Sequence, residues 1–179
     1  MATTFLANLP TVFEEVTLGP EAPRGACGTS NMSRSAHDQR GTAMPLDDNS
    51  PIEEIRDFFA HDLFAYEACG CRIVEAARGH AVAAFDIAPI HRNAMGGVMG
   101  GAIFTLADYA LAVACNVGEK PTVSVSNSIE FLSGARGDRL IATCDVDKSG
   151  RSLGFYTVEV RDELGTQVAR MTATCFRRS

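Results

Sequence analysis

The chain is notable first for what it lacks. It has no apolar run long enough to cross a membrane. It has no Gly-x-Ser-x-Gly, so a serine nucleophile of the hydrolase type has no support. A Gly-rich phosphate loop of Walker type and a His/Glu metal motif are missing as well. Positive charge is scarce: 16 Lys and Arg stand against 22 Asp and Glu, a net charge of -6. That balance gives non-specific nucleic-acid binding no support. The first fifty residues lack the basic start and the long apolar stretch of a secretory signal. Six cysteines are present, but Cys69 and Cys71 have no second Cys/His pair at zinc spacing. Buried reduced thiols in a cytoplasmic protein are therefore expected.

The chain does have ordinary globular material. Its 179 residues are 46% hydrophobic and 21% charged, enough for one domain with a real core. Residues 19–50 are dense in Gly, Pro, Ser, Asn, Asp and Thr and poor in large apolar side chains, so such a stretch buries too little surface to order itself. We expect a flexible arm over 1–49 and the folded domain over 50–179. That domain opens with a short helix, with Ser50 as its N-cap, Pro51 in the first helical position and Glu53 and Glu54 in the first turn. Strand-like runs follow at 66–76 and 80–87, joined by an Arg78-Gly79 turn. Four more lie at 122–132, 139–147, 153–161 and 166–176, separated by Gly/Asp/Ser turns. Between the two sets runs a helix-forming segment from about 98 to 115, apolar nearly all round, which marks it as buried. Two strands, one buried helix and four strands give an α+β pattern, most simply one antiparallel sheet curled around the helix.

The chemistry-bearing stretch is 91–116, H-R-N-A-M-G-G-V-M-G-G-A-I-F-T-L-A-D-Y-A-L-A-V-A-C-N. Asp108 is the only charged residue between Arg92 and Glu119. A carboxylate on a buried helix is costly unless it is paired, so it is either a structural cap or a group kept for chemistry. Gly100 and Gly101 fall in the first turn of the same helix, where backbone N–H groups are unpaired and the dipole is positive. Glycine there lets a ligand oxygen approach closely. Gly100 and Asp108 are eight residues apart, about 12 Å along a helix, too far to touch one reacting carbon. If both serve one reaction, a two-fold dimer with antiparallel copies of the helix must supply one of them.

The pattern H-x-N-x-x-G-x-x-x-G-G-x-x-x-x-L-x-D resembles the hotdog-fold thioesterases, specifically the PaaI-like acyl-CoA thioesterase family. Asn93, Gly96, Gly100, Gly101, Leu106 and Asp108 fall in register with the family motif, whose N-x-x-G-x-x-H-G-G reads Met99 here at the His position. The resemblance implies a hotdog fold and hydrolysis of an aliphatic or aryl-acyl CoA. It places the thioester carbonyl on the Gly100 N–H and the partner chain's Asp108 as general base or nucleophile. Asn93 would orient the water or carbonyl, and its other reading is a residue that stabilises the turn before Gly96. Ser124 would hold the attacking water, on a strand where Thr122, Ser124, Ser126 and Ser128 share a face by alternation. Met99 and Gly101 would wall the acyl site. His91 is expected to shape its loop through hydrogen bonds. Arg136, Lys148 and Arg151, placed in turns, are either solvated charges or contacts for the CoA phosphates. No cofactor is implied, since CoA is part of the substrate. The expected partners are acyl-CoA and a second copy of the chain, as a homodimer or a dimer of dimers, with no nucleic acid and no membrane. Met99 also leaves open a non-catalytic hotdog module that binds an acyl-CoA. Hydratase chemistry would want a D-x-N-P-x-H loop, which is absent.

Overall fold

The computed structural model describes residues 45–178. The expected arm falls outside the described residues as far as 44. Packing begins ahead of Ser50: Leu46 is buried in the core and Asp48 pairs with Arg78 at 2.6 Å.

Helix α1, Ile52–Phe59, is capped by Pro51 rather than Ser50. The Ser50 hydroxyl instead accepts the Asp47 N–H at 2.9 Å, which spends it on the preceding turn. Ile55 and Phe59 give α1 its buried face. The first expected strand is shorter than its composition suggests. Residues Phe64–Ala68 form a π-helical turn, ended by Gly70 at φ +65°, and strand β1 begins only at Arg72. Alanine and glutamate in that segment favour helical backbone, and Gly70 supplies the left-handed residue that turns the chain into the strand.

Strands β1, Arg72–Ala77, and β2, His80–Asp86, form a hairpin. A 3-10 turn, Pro89–His91, leads through the loop into helix α2, Gly100–Asn116. Strands β3, Thr122–Phe131, β4, Arg139–Ser149, β5, Leu153–Asp162, and β6, Gln167–Arg177, follow. All pairings are antiparallel and the spatial order is β1-β2-β4-β5-β6-β3, which leaves β3 on an edge. Helix α2 lies on the inner face. Leu106, Ala107, Ala110, Val113 and Ala114 are fully buried against Leu140, Ala142, Val158, Val160 and Met171 of the sheet. The three alanines of α2 in that set let the helix axis approach the sheet closely, while the larger residues fill the layer between them. This is the curled sheet around a central helix expected from the sequence.

Candidate active site

The loop before α2 is fixed by its own polar groups. His91 is buried and stacked on Phe85 with ring centroids 4.3 Å apart. Its Nδ1 accepts the Ala88 N–H at 2.9 Å, so Nε2 carries the hydrogen and donates to the Cys69 carbonyl at 3.0 Å. Both ring nitrogens are thus engaged in holding the loop. Asn93 Oδ1 accepts the N–H groups of Met95 and Gly97 at 3.0 and 3.1 Å, and Gly96 takes φ +84°. The amide oxygen of Asn93 is committed to the turn. Its Nδ2 makes no hydrogen bond among the described residues.

At the start of α2, Met99 is the N-cap and offers no side-chain acceptor. Its carbonyl receives the N–H groups of Ala102 and Ile103. Those of Gly100 and Gly101 have no acceptor among the described residues, so two donors remain at the positive end of the dipole. Both glycines have ordinary negative φ. Their use is close approach. A Cβ on Gly100 would stand 3.1 Å from the Phe131 ring, and one on Gly101 would stand 2.8 Å from the Met99 methyl. The ring and the thioether roof the glycines with apolar surface.

Asp108 sits two turns further along and is half-buried. Burial pushes its carboxyl above the usual carboxylate range, the charge of Asp62 adds to that, and a hydrogen bond from Asn127 opposes it. Asn127 Nδ2 donates to Asp108 Oδ1 at 3.2 Å. Asn127 was not foreseen, because strand alternation is broken. A bulge between Ser124 and Ser126 leaves Val125 unpaired. Ser124 shares the inner face with its partner Cys175, but beyond the bulge it is Asn127 and Ile129 that pair with inward-facing Ala173 and Met171. Ser126 and Ser128 therefore face outward, and the shared hydroxyl face expected over 122–128 holds only for Thr122 and Ser124. The one sequence signal was an amide inside a strand, where asparagine is disfavoured.

A cavity of about 260 Å³ opens between α2 and β3, walled by Leu111, Ala112, Cys115 and Val123, with Asp108 and Ser124 in its lining. Its far end is closed by Asn116, whose Oδ1 accepts the Thr122 N–H and whose Nδ2 donates to the Thr122 and Ala112 carbonyls. The basic residues are dispersed. Arg136 precedes β4, Arg151 follows it, and Lys148 lies within β4 opposite Phe155 instead of in a turn. The eleven residues of β4 put its ends about 35 Å apart, so one phosphate group cannot meet both Arg136 and Arg151 of one chain. Cys69, Cys71, Cys115, Cys144 and Cys175 are all buried free thiols. Burial and the neighbouring Cys69 push Cys71 up to about 12, so it is no nucleophile. Among the described residues no His/Cys/Asp/Glu group could hold a metal ion.

Residues 95–169, which run from within the loop through α2, β3, β4 and β5 into the start of β6, match the family model described as thioesterase superfamily. The acyl-coenzyme A thioesterase PaaI of Escherichia coli is 33% identical over 115 residues, covering 62% of this chain and 82% of that protein. The chain belongs to the thioesterase superfamily. Solved structures agree in shape with this thioesterase. The TT0310 protein from Thermus thermophilus superposes with a TM-score of 0.60 at 33% identity, over 63% of this chain and 96% of its own. A Streptococcus mutans protein crystallised with acetyl CoA gives a TM-score of 0.57 at 27% identity, over 60% and 87%. The hotdog fold and the PaaI-like branch are thereby fixed for this thioesterase. Among the described residues it has no helix long and apolar enough to cross a membrane.

Proposed function

We propose that the protein hydrolyses an acyl-CoA thioester to the free acid and CoA, with no cofactor beyond the substrate itself. The observation that carries this reading is the pair formed by the Gly100 and Gly101 N–H groups, unbonded among the described residues, and a desolvated carboxylate at Asp108. The first stabilises the oxyanion that develops on the thioester carbonyl. The second takes a proton from water or attacks the carbonyl carbon. In either route the C–S bond breaks and the electron pair leaves with sulfur. The related E. coli PaaI carries the name acyl-coenzyme A thioesterase, and the acetyl-CoA-bound neighbour shows a CoA thioester on this fold.

The two groups lie on one helix, eight residues apart. We assign them to one site through a second copy of the chain. Among the described residues strand β3 has a free edge, with Phe131, beside Gly100, at one end and Ser124, beside Asp108, at the other. Antiparallel pairing of two β3 edges sets the Gly100 end of each chain against the Asp108 end of the other. A homodimer, alone or doubled into a tetramer, is thus the working unit. Ser124 and the amide hydrogens of Asn93 position the reactants, and Met99, Gly101 and Phe131 wall the acyl group. Arg136, at the Gly100 end, meets the CoA phosphates, while Lys148 and Arg151 reach a CoA only across the two-fold pair. The reduced buried thiols fit a cytoplasmic location.

Release of free thiol from a panel of short aliphatic and aryl-acyl CoAs tests the reading. Turnover on at least one member supports it. Binding of the panel without turnover replaces it with the non-catalytic acyl-CoA module that Met99 favours.

A further inference from the structure

We propose that Asn127 is the positioning residue of Asp108, its amide N–H holding the carboxylate in the ionised form that either hydrolytic route requires. The proposal deepens the thioesterase reading and rests on it. Asn127 reaches Asp108 only because the bulge at Val125 shifts strand parity and turns the side chain inward. Once there, the amide makes one hydrogen bond among the described residues, Nδ2 to Asp108 Oδ1 at 3.2 Å. Its own oxygen is buried and has no partner among the described residues. A leucine, with the same branching, would stand opposite Ala173 and leave no buried acceptor unpaired. The polar chemistry of Asn127 is therefore directed at Asp108 alone.

The surroundings explain why the carboxylate needs that donor. Among the described residues Asp108 has no ion pair. Among the described residues the titratable groups around it are Asp62 from the segment after α1, Cys175 on β6 and Cys115 on its own helix. Not one of them is a cation. Burial and the Asp62 charge both favour the neutral acid, and the Asn127 N–H is the opposing interaction. Because base and nucleophile both require the anion, the same contact serves either mechanism.

The test uses the full-length protein with Asn127→Leu and Asn127→Ser, each checked for a cooperative melt. The acid limb of kcat/KM moves up by about one pH unit, a tenfold loss below the limb that is recovered above it, with KM unchanged. A 13C carboxyl titration of Asp108, assigned by its disappearance in Asp108→Asn, shows the same upward shift without any turnover. The titration therefore separates the two ideas. A shift in a protein that hydrolyses no acyl-CoA sinks the thioesterase reading alone. Either variant, folded and with the wild-type Asp108 midpoint, overturns the assignment of Asn127.

Discussion

Two aspartates on the inner side of this fold are held in opposite ways. At the corner between β5 and β6, Asp162 is 2% exposed. Its Oδ2 accepts the N–H groups of Arg136 and Gly137 at 2.8 and 3.2 Å, and its Oδ1 those of Leu164 and Thr166 at 3.1 and 2.7 Å. Burial alone would raise this carboxyl, but the backbone donors outweigh it and hold the group down at about 2. At the seam between α2 and β3, Asp108 has one side-chain donor, and there burial wins and the carboxyl rises. A carboxylate saturated with donors has no lone pair left for a reaction and ties loops together. One starved of donors costs stability and keeps its basicity.

The largest effect expected from this contrast is on turnover. Asp108→Asn should lower kcat by about 10³-fold or more, since the amide neither accepts a proton nor attacks. Its melting temperature should hold or rise at neutral pH. A carboxyl whose folded-state pKa is raised stabilises the fold only at low pH, and that contribution disappears as pH climbs through the raised value. The gain should therefore vanish in acid, and a fall in neutral-pH stability would mean that Asp108 is a second structural aspartate.

Gly100→Pro comes next, at about 10²–10³-fold in kcat. Proline is favoured at the first helical position and Met99, at φ -66° and ψ 134°, already has the backbone that precedes a proline. The substitution removes one N–H and adds a ring whose Cβ presses on Phe131. Gly100→Ala presses the same Cβ on Phe131 but keeps the donor. Equal losses in the two variants would move the effect from the oxyanion to packing.

Asp162→Ala should act on stability. Four backbone N–H groups lose their acceptor, so the melting temperature falls while the Asp108 titration stays in place. A depressed carboxyl contributes stability above its unfolded pKa and loses it as pH drops through the folded value. The wild-type advantage over the variant should therefore shrink between about pH 4 and 2. An advantage independent of pH there would show that the donors do not act through the charge.

Much of this was legible in the sequence. The apolar segment with one charge gave away α2 and Asp108, and the glycines at its start gave away the donor site, because both signals are local. What escaped depends on partners far along the chain. Asp162 read as a turn residue in Asp162-Glu163-Leu164-Gly165, which it is, but the loop at 136–137 that it captures lies 25–26 residues away. Asn127 was hidden by a bulge at Val125, a residue whose type gives no sign of one. Residues 66–68 looked like the start of a strand and belong to a π-helical turn over Phe64–Ala68, with Gly70 turning the chain into β1. Phe131 over Gly100 follows from the β3–β6 register, which sequence alone does not set.

The central claim is that Gly100 of one chain and Asp108 of the other work on the same thioester. Asp108→Asn and Gly100→Pro proteins, each inactive alone, are mixed under conditions where subunit exchange is confirmed by mass or by a fluorescent pair. Each mixed dimer then has one site with both defects and one with neither, so about half of its sites should be wild type by symmetry. Return of thiol release in proportion to the mixed dimer is the predicted result. Complete exchange with no recovered activity would contradict the account.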